Sequence, residues 1–149
     1  MINLVRCTSE NNDFQNLVIL LDMDLNSRYG KIQDQYNQYN KIEGIKNVIV
    51  AYDAQTPVGC GCFKLYSNDS VEMKRMFVKP ENRGQGISKS ILSELEKWAK
   101  EEGFKYSILE TGIKQFEACG LYKKFGYEII ENYGQYIDMP HSLCMKKSL

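Results

Sequence analysis

A glycine-containing loop precedes a strongly helical segment, and its residue types suit the binding of a phosphate group. The loop carries Gly84 and Gly86 immediately before the helical pattern begins. The first N–H groups of a helix have no partner within the helix and carry partial positive charge, and glycine lets a ligand approach the backbone closely. Arg83 and Lys89 add formal charge beside these amides. The pattern predicts a phosphate site on residues 84–89.

Two common nucleotide-binding motifs do not fit this loop. A P-loop reads Gly-x-x-x-x-Gly-Lys-Ser/Thr, but here Lys89 follows Ser88, and Arg83 stands where the first glycine belongs. A dinucleotide-binding fingerprint needs a third glycine at position 89, which is lysine, and it belongs on the first strand of a βαβ unit. The sequence therefore disfavours ATP and NAD as ligands.

The loop and a later segment together resemble the GNAT superfamily of acetyl-CoA-dependent N-acetyltransferases. The family's loop reads Arg/Gln-x-x-Gly-x-Gly/Ala, and residues 83–88 match it except for Ser88 at the final small position. Residues 117–127, with the spacing Leu-Tyr-x-x-x-Gly-Tyr, look like the family's late helix, and the order of elements is similar over nearly the whole chain. Residues 109–112 with Gln115 look similar to a bacterial small-molecule-type subgroup.

The resemblance implies acetyl-CoA as cosubstrate. Its pantetheine arm would pair with the backbone of residues 76–78 as an added strand, its pyrophosphate would lie on the loop amides, and its thioester would enter a gap between the strands carrying Val78 and Leu109. Gln115 takes a place often held by Asn in the family. The implied cofactor-contacting residues are Met76, Phe77, Val78, Arg83, Gly84, Gln85, Gly86, Ile87, Ser88, Lys89, Gln115 and Tyr122.

Acetylation of an amine requires the neutral amine, and an alkyl ammonium has a pKa near ~10.4. The site therefore needs a proton acceptor or a desolvating pocket. Glu72 lies where some family members carry a catalytic glutamate, Glu110 is the second candidate, and a water molecule is a third. The alternative for Glu72 is a solvent-facing strand carboxylate paired with a neighbouring lysine.

Tyr122 occupies the position from which the family's helix often presents a tyrosine to the cofactor sulfur. The resemblance predicts that its hydroxyl steadies the leaving thiolate, and a backbone N–H near Phe77 or Val78 would polarise the thioester carbonyl. The alternative for Tyr122 is a side chain that fills the core. His141 is the single histidine and follows a proline, so it is interpreted as a loop residue and a Cys–His nucleophile is disfavoured.

Hydrophobic periodicity predicts the elements that must position these residues. Strand-like runs cover residues 2–7, 47–52, 57–66, 70–78, 106–109, 127–130 and 143–146. Helical spacing predicts four helices: one after a cap at Thr8 or Ser9, a short one over 29–40, one from about 87 to Gly103, and one that stops at Gly126.

These elements predict a single α/β domain over residues 1–149, with a mixed, mostly antiparallel sheet of about seven strands and four helices. The strand from 106 follows a strand and a helix of crossover length, so we expect it to lie parallel to the strand ending at Val78. The resemblance adds splayed central strands. On this basis the predicted domain is an N-acetyltransferase (GNAT) domain.

Composition limits the partners. Lys+Arg and Asp+Glu number 19 each, so the net charge of zero argues against a whole-surface contact with nucleic acid or anionic lipid. Basic residues are nevertheless concentrated over 74–89, which predicts positive charge around the loop. The odd number of cysteines, five, indicates a reducing compartment. We expect a cytoplasmic protein with no metal, no signal peptide and no membrane span.

The predicted activity is transfer of acetyl from acetyl-CoA to a primary amine of a small molecule, by direct attack in a ternary complex. A peptide or protein amine as acceptor, and a non-catalytic acyl-CoA-binding module, are the alternatives. The acceptor's identity and the oligomeric state, with a homodimer among the options, stay open.

Overall fold

The computed structural model describes residues 1–30 and 41–149, in which seven strands form one sheet that packs between helices. The strands are β1 (Ile2–Cys7), β2 (Asn47–Asp53), β3 (Thr56–Leu65), β4 (Ser70–Val78), β5 (Tyr106–Gly112), β6 (Glu128–Ile130) and β7 (Ser142–Ser148). Within those ranges there are three α-helices, α1 (Asn12–Tyr29), α2 (Ile87–Glu101) and α3 (Phe116–Lys124). The predicted helix over 29–40 lies outside the described residues apart from its first two positions, and Tyr29 belongs to α1.

The strand order is β1-β2-β3-β4-β5-β7-β6. Every neighbouring pair is antiparallel except β4 and β5, which run parallel. The predicted parallel pairing is therefore confirmed. Its cause is α2, which carries the chain from the end of β4 back to the start of β5, as a parallel connection requires.

The two long helices cover opposite faces of the sheet. In α1, apolar residues at helical spacing pack against Val48 and Cys60 and their neighbours on one face. In α2, the stripe Ile87, Ile91 and Leu95 packs against the other face, which also receives Tyr122 of α3. Both stripes were predicted from their spacing.

The predicted cap of α1 at Thr8 or Ser9 is wrong. The side chain of Asn11 accepts a hydrogen bond of 2.9 Å from the N–H of Phe14, so Asn11 is the N-cap. Residues 8–11 first form a tight turn, in which the Asn11 N–H donates to the carbonyl of Thr8. That turn moves the start of the helix a few residues along the chain.

A bulge in β4 and the separation of β4 from β5 shape the centre of the sheet. The register of β3 with β4 shifts between Cys60 and Cys62, where Arg75 adopts a left-handed φ of 59°. Pairing of β4 with β5 extends only to Met73 and Leu109. Beyond that point β5 remains paired with β7, while β4 has no strand partner on its β5 side among residues 1–30 and 41–149. The predicted splay of the central strands is therefore present.

Candidate active site

The gap between β4 and β5 opens into a cavity of about 360 Å³. Its outer end is the glycine loop before α2, its sides are the separated strand ends, and α1 and α3 contribute further wall. The predicted site residues that line it are Glu72, Met76, Phe77, Val78, Arg83, Gly84, Gly86, Ile87, Ser88, Lys89, Gln115 and Tyr122. Gln85 is the one predicted contact residue that is not part of this lining.

The glycine loop leaves the first turn of α2 open toward the cavity. Gly84 and Gly86 have left-handed φ angles of 80° and 79°, and a Cβ atom at either would meet no other atom within 4 Å. No side chain in the described part of the chain caps α2. The hydroxyl of Ser90 instead donates back to the carbonyl of Gly86. The first N–H groups of α2 are thus available to a ligand anion.

The predicted concentration of positive charge around the loop is partly wrong. Arg83 lines the loop end, where its Nε donates to the carbonyl of Val78 at 2.9 Å. Lys74 and Arg75, however, are buried at the inner end of the cavity. An extended strand advances about 3.3 Å per residue, so side chains several positions before Val78 lie well away from the loop.

At the inner end, Glu72 is enclosed by two partners. The hydroxyl of Tyr133 donates to Glu72 Oε2 at 2.7 Å, and Lys74 Nζ lies 3.7 Å from Glu72 Oε1. Lys74 also donates to the hydroxyl of Tyr136 at 3.5 Å. The Glu72 and Lys74 side chains are only 3% and 5% exposed. Glu72 is therefore paired with a lysine, as the alternative expected, but it faces the cavity instead of solvent.

Glu110, on the separated end of β5, is the second carboxylate of the cavity. Burial raises the pKa of Glu110 to about 7, a rise that a hydrogen bond from Ser142 and the charge of Lys74 moderate and the charge of Glu72 increases. A carboxyl group with this pKa exchanges its proton readily near neutral pH.

Tyr122 lies both in the core and at the cavity. Its ring is buried in the core and packs edge-on against Tyr127, with 5.8 Å between centroids, yet the residue also lines the cavity. Its hydroxyl has no hydrogen-bond partner among residues 1–30 and 41–149. Burial raises the pKa of Tyr122, so the hydroxyl keeps its proton at neutral pH.

Gln115 fixes the turn that joins β5 to α3. Its Oε1 atom accepts hydrogen bonds from the Gly112 N–H at 3.1 Å and from Thr111 Oγ1 at 3.3 Å. The hydroxyl of Tyr29 accepts a further bond of 2.9 Å from the Lys114 N–H in the same turn. The end of α1 is thereby tied to the cavity wall opposite β4.

Several cavity residues were missed by sequence reasoning. Lys74, Arg75 and Tyr136 line its inner end, and Tyr133 supports Glu72. His141 lies in a loop, as predicted, but it also lines the cavity. The alternation of β4 could have pointed to Lys74, which follows Glu72 by two positions and so shares its side of the strand. No local pattern marks the others.

The described part of the chain bears on two expectations from the sequence, those of no metal and of no membrane span. No group of three or more His, Cys, Asp and Glu side chains that could hold a metal ion is found there. None of the helices described in residues 1–30 and 41–149 has the length and apolar character of a membrane span.

The fold and the cavity together define a class of protein. It is an α/β domain in which a gap between splayed strands connects a helix N-terminus to buried carboxylates. Residues 44–129, more than half of the chain, match the family model described as "Acetyltransferase (GNAT) domain". The chain belongs to this GNAT family, and the resemblance seen in the sequence is confirmed. It is an acyltransferase whose acetyl donor is acetyl-CoA.

Individual relatives agree with this family. An IAA acetyltransferase from Azospirillum brasilense is 37% identical over 102 residues, which cover 68% of this chain and 67% of that protein. A solved structure of a Klebsiella pneumoniae protein of the acyl-CoA N-acyltransferase class has a TM-score of 0.84 and 27% identity, over 100% and 98% of the two chains. The PaiA N-acetyltransferase from Thermoplasma acidophilum, solved with coenzyme A, shares the fold with a TM-score of 0.75 and 19% identity, over 100% and 99%.

Proposed function

We propose that the protein transfers the acetyl group of acetyl-CoA directly to the primary amine of a small molecule within a ternary complex. The observation that carries this proposal is the continuous cavity, which joins an open helix N-terminus to buried carboxylates through the gap between β4 and β5. One end suits a pyrophosphate and the other suits an ammonium group.

At the outer end, the amides of residues 84–89 would hold the pyrophosphate, with Arg83 and Lys89 supplying charge. Gln85 would take part through its backbone, since its side chain is not in the lining. The separated part of β4, residues 76–78, would pair with pantetheine, because no described strand pairs with its β5 side. Gln115 would shape the opposite wall through its bonds to the β5 turn.

Of the two predicted carboxylates, Glu110 is the better proton acceptor. Glu72 accepts a hydrogen bond from Tyr133 and is the described carboxylate that forms an ion pair with Lys74, which favours its charged form without raising its affinity for a proton. Burial raises the pKa of Glu110 to about 7, which lets it take a proton from the incoming ammonium near neutral pH. Glu72 would then hold Lys74 in place.

In the transfer step, Glu110 removes a proton from the acceptor ammonium, and the freed nitrogen attacks the thioester carbonyl. The new C–N bond forms as the C–S bond breaks, and the second nitrogen proton passes to the departing CoA sulfur, so that the amide and the free thiol are the products. The Tyr122 hydroxyl donates a hydrogen bond to the departing thiolate. An N–H of residues 77–78 would polarise the carbonyl oxygen.

Direct transfer is favoured over an acetylated cysteine, because none of the five cysteines lines the cavity. Cys60 and Cys62, the nearest to β4 in the sheet, are fully buried, and burial raises the pKa of both thiols.

Initial velocities of thiol release test the proposal when acetyl-CoA and a panel of small amines are varied together. Intersecting double-reciprocal lines with a small amine are expected for a ternary complex. Parallel lines would indicate an acetyl-enzyme. Turnover with peptides, but with no small amine, would mean that the acceptor is a peptide or protein amine instead of a small molecule.

A further inference from the structure

The inner end of the cavity holds two neighbouring cations that the transfer step does not use. Lys74 and Arg75 follow each other at the bulge of β4, both line the cavity, and their side chains are only 5% and 3% exposed. Buried charges are costly unless they are fully paired and hydrogen-bonded. Their contacts therefore indicate what this end of the cavity is built to hold.

Neither cation is fully satisfied by protein groups. The Nε atom of Arg75 is buried and has no hydrogen-bond partner among the described residues, although Nη2 pairs with Asp22 of α1. Among the described residues, the Lys74 ammonium lies 3.7 Å from Glu72 and 3.5 Å from Tyr136, and the charge of Glu110 also acts on it. Each cation therefore has hydrogen-bonding capacity that the described protein groups leave unused, and both residues line the cavity.

The backbone is also adapted to place Arg75 there. A φ of 59° is unfavourable for a residue with a side chain, and β4 adopts it at Arg75 in the bulge opposite Gly61. A Cβ at Gly61 would collide with the Met76 side chain and crowd Ile91 and Leu95 of α2, so glycine here leaves room for those side chains beside the bulge. Such a distortion re-aims one side chain of a strand.

We propose that the acceptor is an amino acid: its carboxylate binds Arg75 and Lys74 while its amino group lies at Glu110. This inference rests on the proposed function and names the class of amine. The opposite orientation is disfavoured, because an ammonium beside two cations would be repelled. At this end of the cavity, the negative charges of the carboxylates are close in number to the positive charges of the cations. An amino-acid zwitterion, which carries one charge of each sign, also suits such a site.

A purely structural role for Arg75 predicts a different behaviour. Its ion pair with Asp22 would tie β4 to α1, and removal of either partner would have the same effect. Asp22 is 45% exposed, whereas Arg75 is 3% exposed. Asp22→Asn is therefore the matched control, since it breaks the same pair and leaves the guanidinium in the cavity.

The test measures kcat and KM with the proteinogenic amino acids, β-alanine and 4-aminobutyrate, each beside its carboxamide, which keeps the amine and removes the negative charge. The wild-type protein should prefer the acid of at least one pair by about 10- to 100-fold in kcat/KM. Arg75→Met should raise KM for that acid by a similar factor and leave KM for the carboxamide within about threefold. Asp22→Asn should leave both nearly unchanged, and acetyl-CoA affinity, measured by calorimetry, should be the same in all three proteins.

The outcomes separate the two proposals. If carboxamides or simple amines are acetylated as well as or better than every acid, the amino-acid inference is overturned and the transferase proposal stands. Equal effects of Arg75→Met and Asp22→Asn would likewise reduce Arg75 to a structural partner. If acetyl-CoA binds but no small amine of any kind is acetylated, the proposed function itself fails.

Discussion

Two glutamates in one cavity carry different chemistry because their neighbours differ. Glu72 is held between the Tyr133 hydroxyl and the Lys74 ammonium. Glu110 forms no ion pair with another described residue, although the charge of Lys74 acts on it, and burial raises its pKa to about 7. The same residue type is therefore a charge partner on β4 and the proposed proton acceptor on β5.

Glu110→Gln removes the proposed proton acceptor with little change in size. As pH rises through about 7, wild-type Glu110 loses its proton and can accept one from the substrate, so kcat/KM should rise. The variant should lose this limb of the profile and about 100-fold or more of kcat/KM at pH 7.5. A pH profile of kcat/KM from 5.5 to 9 measures both effects.

Glu72→Gln is the comparison for that experiment. It leaves the buried Lys74 ammonium without its carboxylate, so it should lower the free energy of unfolding by about 3 kcal/mol, while the limb of the kinetic profile near pH 7 remains.

The stability of the wild-type protein also reports on Glu110 directly. Because the pKa of Glu110 is raised in the folded state, stability should fall as the pH rises from about 4.5 to about 7 in thermal melts. In Glu110→Gln this fall should be absent. If Glu110→Gln kept the limb near pH 7 of the kcat/KM profile and Glu72→Gln lost it, the roles of the two glutamates would be exchanged.

Tyr122→Phe tests the hydroxyl that lines the cavity. Because this hydroxyl has no protein partner in the described part of the chain, its removal should lower kcat by roughly 10- to 100-fold with little change in stability or acetyl-CoA affinity. Tyr127→Phe is the matched control, since the Tyr127 hydroxyl is hydrogen-bonded to Ser107 and Glu96 and does not line the cavity. It should lower the melting temperature and leave kcat near the wild-type value. An unchanged kcat in Tyr122→Phe would remove this residue from the chemistry.

At the scale of elements, α2 links the fold to the donor site. The helix carries the parallel crossover between β4 and β5, and its first turn faces the cavity without a capping side chain. The same helix that sets the sheet topology therefore presents the proposed anion-binding amides.

Gly86→Val should abolish measurable acetyl-CoA binding, because the new side chain would occupy space that the ligand needs. Gly103→Val is a matched control beyond the other end of α2. Both glycines have left-handed φ angles, 79° and 91°, and at both a Cβ would meet no atom within 4 Å, so backbone strain is similar. Calorimetry should show near-normal affinity for Gly103→Val. Normal affinity in Gly86→Val would contradict the placement of the pyrophosphate.

At the scale of the whole molecule, the two central strands of the sheet are joined along only part of their length. Four residue pairs join β4 to β5, whereas β3 and β4 and also β5 and β7 are paired along most of their length. A donor that pairs with the free side of β4 and contacts α2 and α3 would bridge the two halves.

Acetyl-CoA should therefore stabilise the protein and slow amide exchange locally. At a ligand concentration of 100 times Kd, the linkage gain is about 2.7 kcal/mol, or a melting shift of roughly 5–10 °C for a domain of this size. Hydrogen exchange followed by mass spectrometry should show protection at residues 76–78 and 84–89, with little change in the edge strands β1 and β6. Protection spread evenly over the sheet would argue against a donor seated in the gap.

Prediction from sequence succeeded where the signal is local. The strand over residues 70–78 and the stripe of α2 follow from periodicity, and the parallel placement of β5 follows from connection length. The cap of α1 was misplaced because Thr8, Ser9 and Asn11 are all suitable caps, and a turn that the pattern does not show decides between them.

The sequence by itself determined the glycine loop before α2, the order of the elements and the family, because each depends on residues close together along the chain. Only the tertiary structure decided how the inner cavity is charged. Tyr133 reaches Glu72 across 61 positions, and Asp22 reaches Arg75 across 53. Such contacts depend on how the sheet and helices pack, so basic residues that looked like part of the loop became buried cations at the proposed acceptor end.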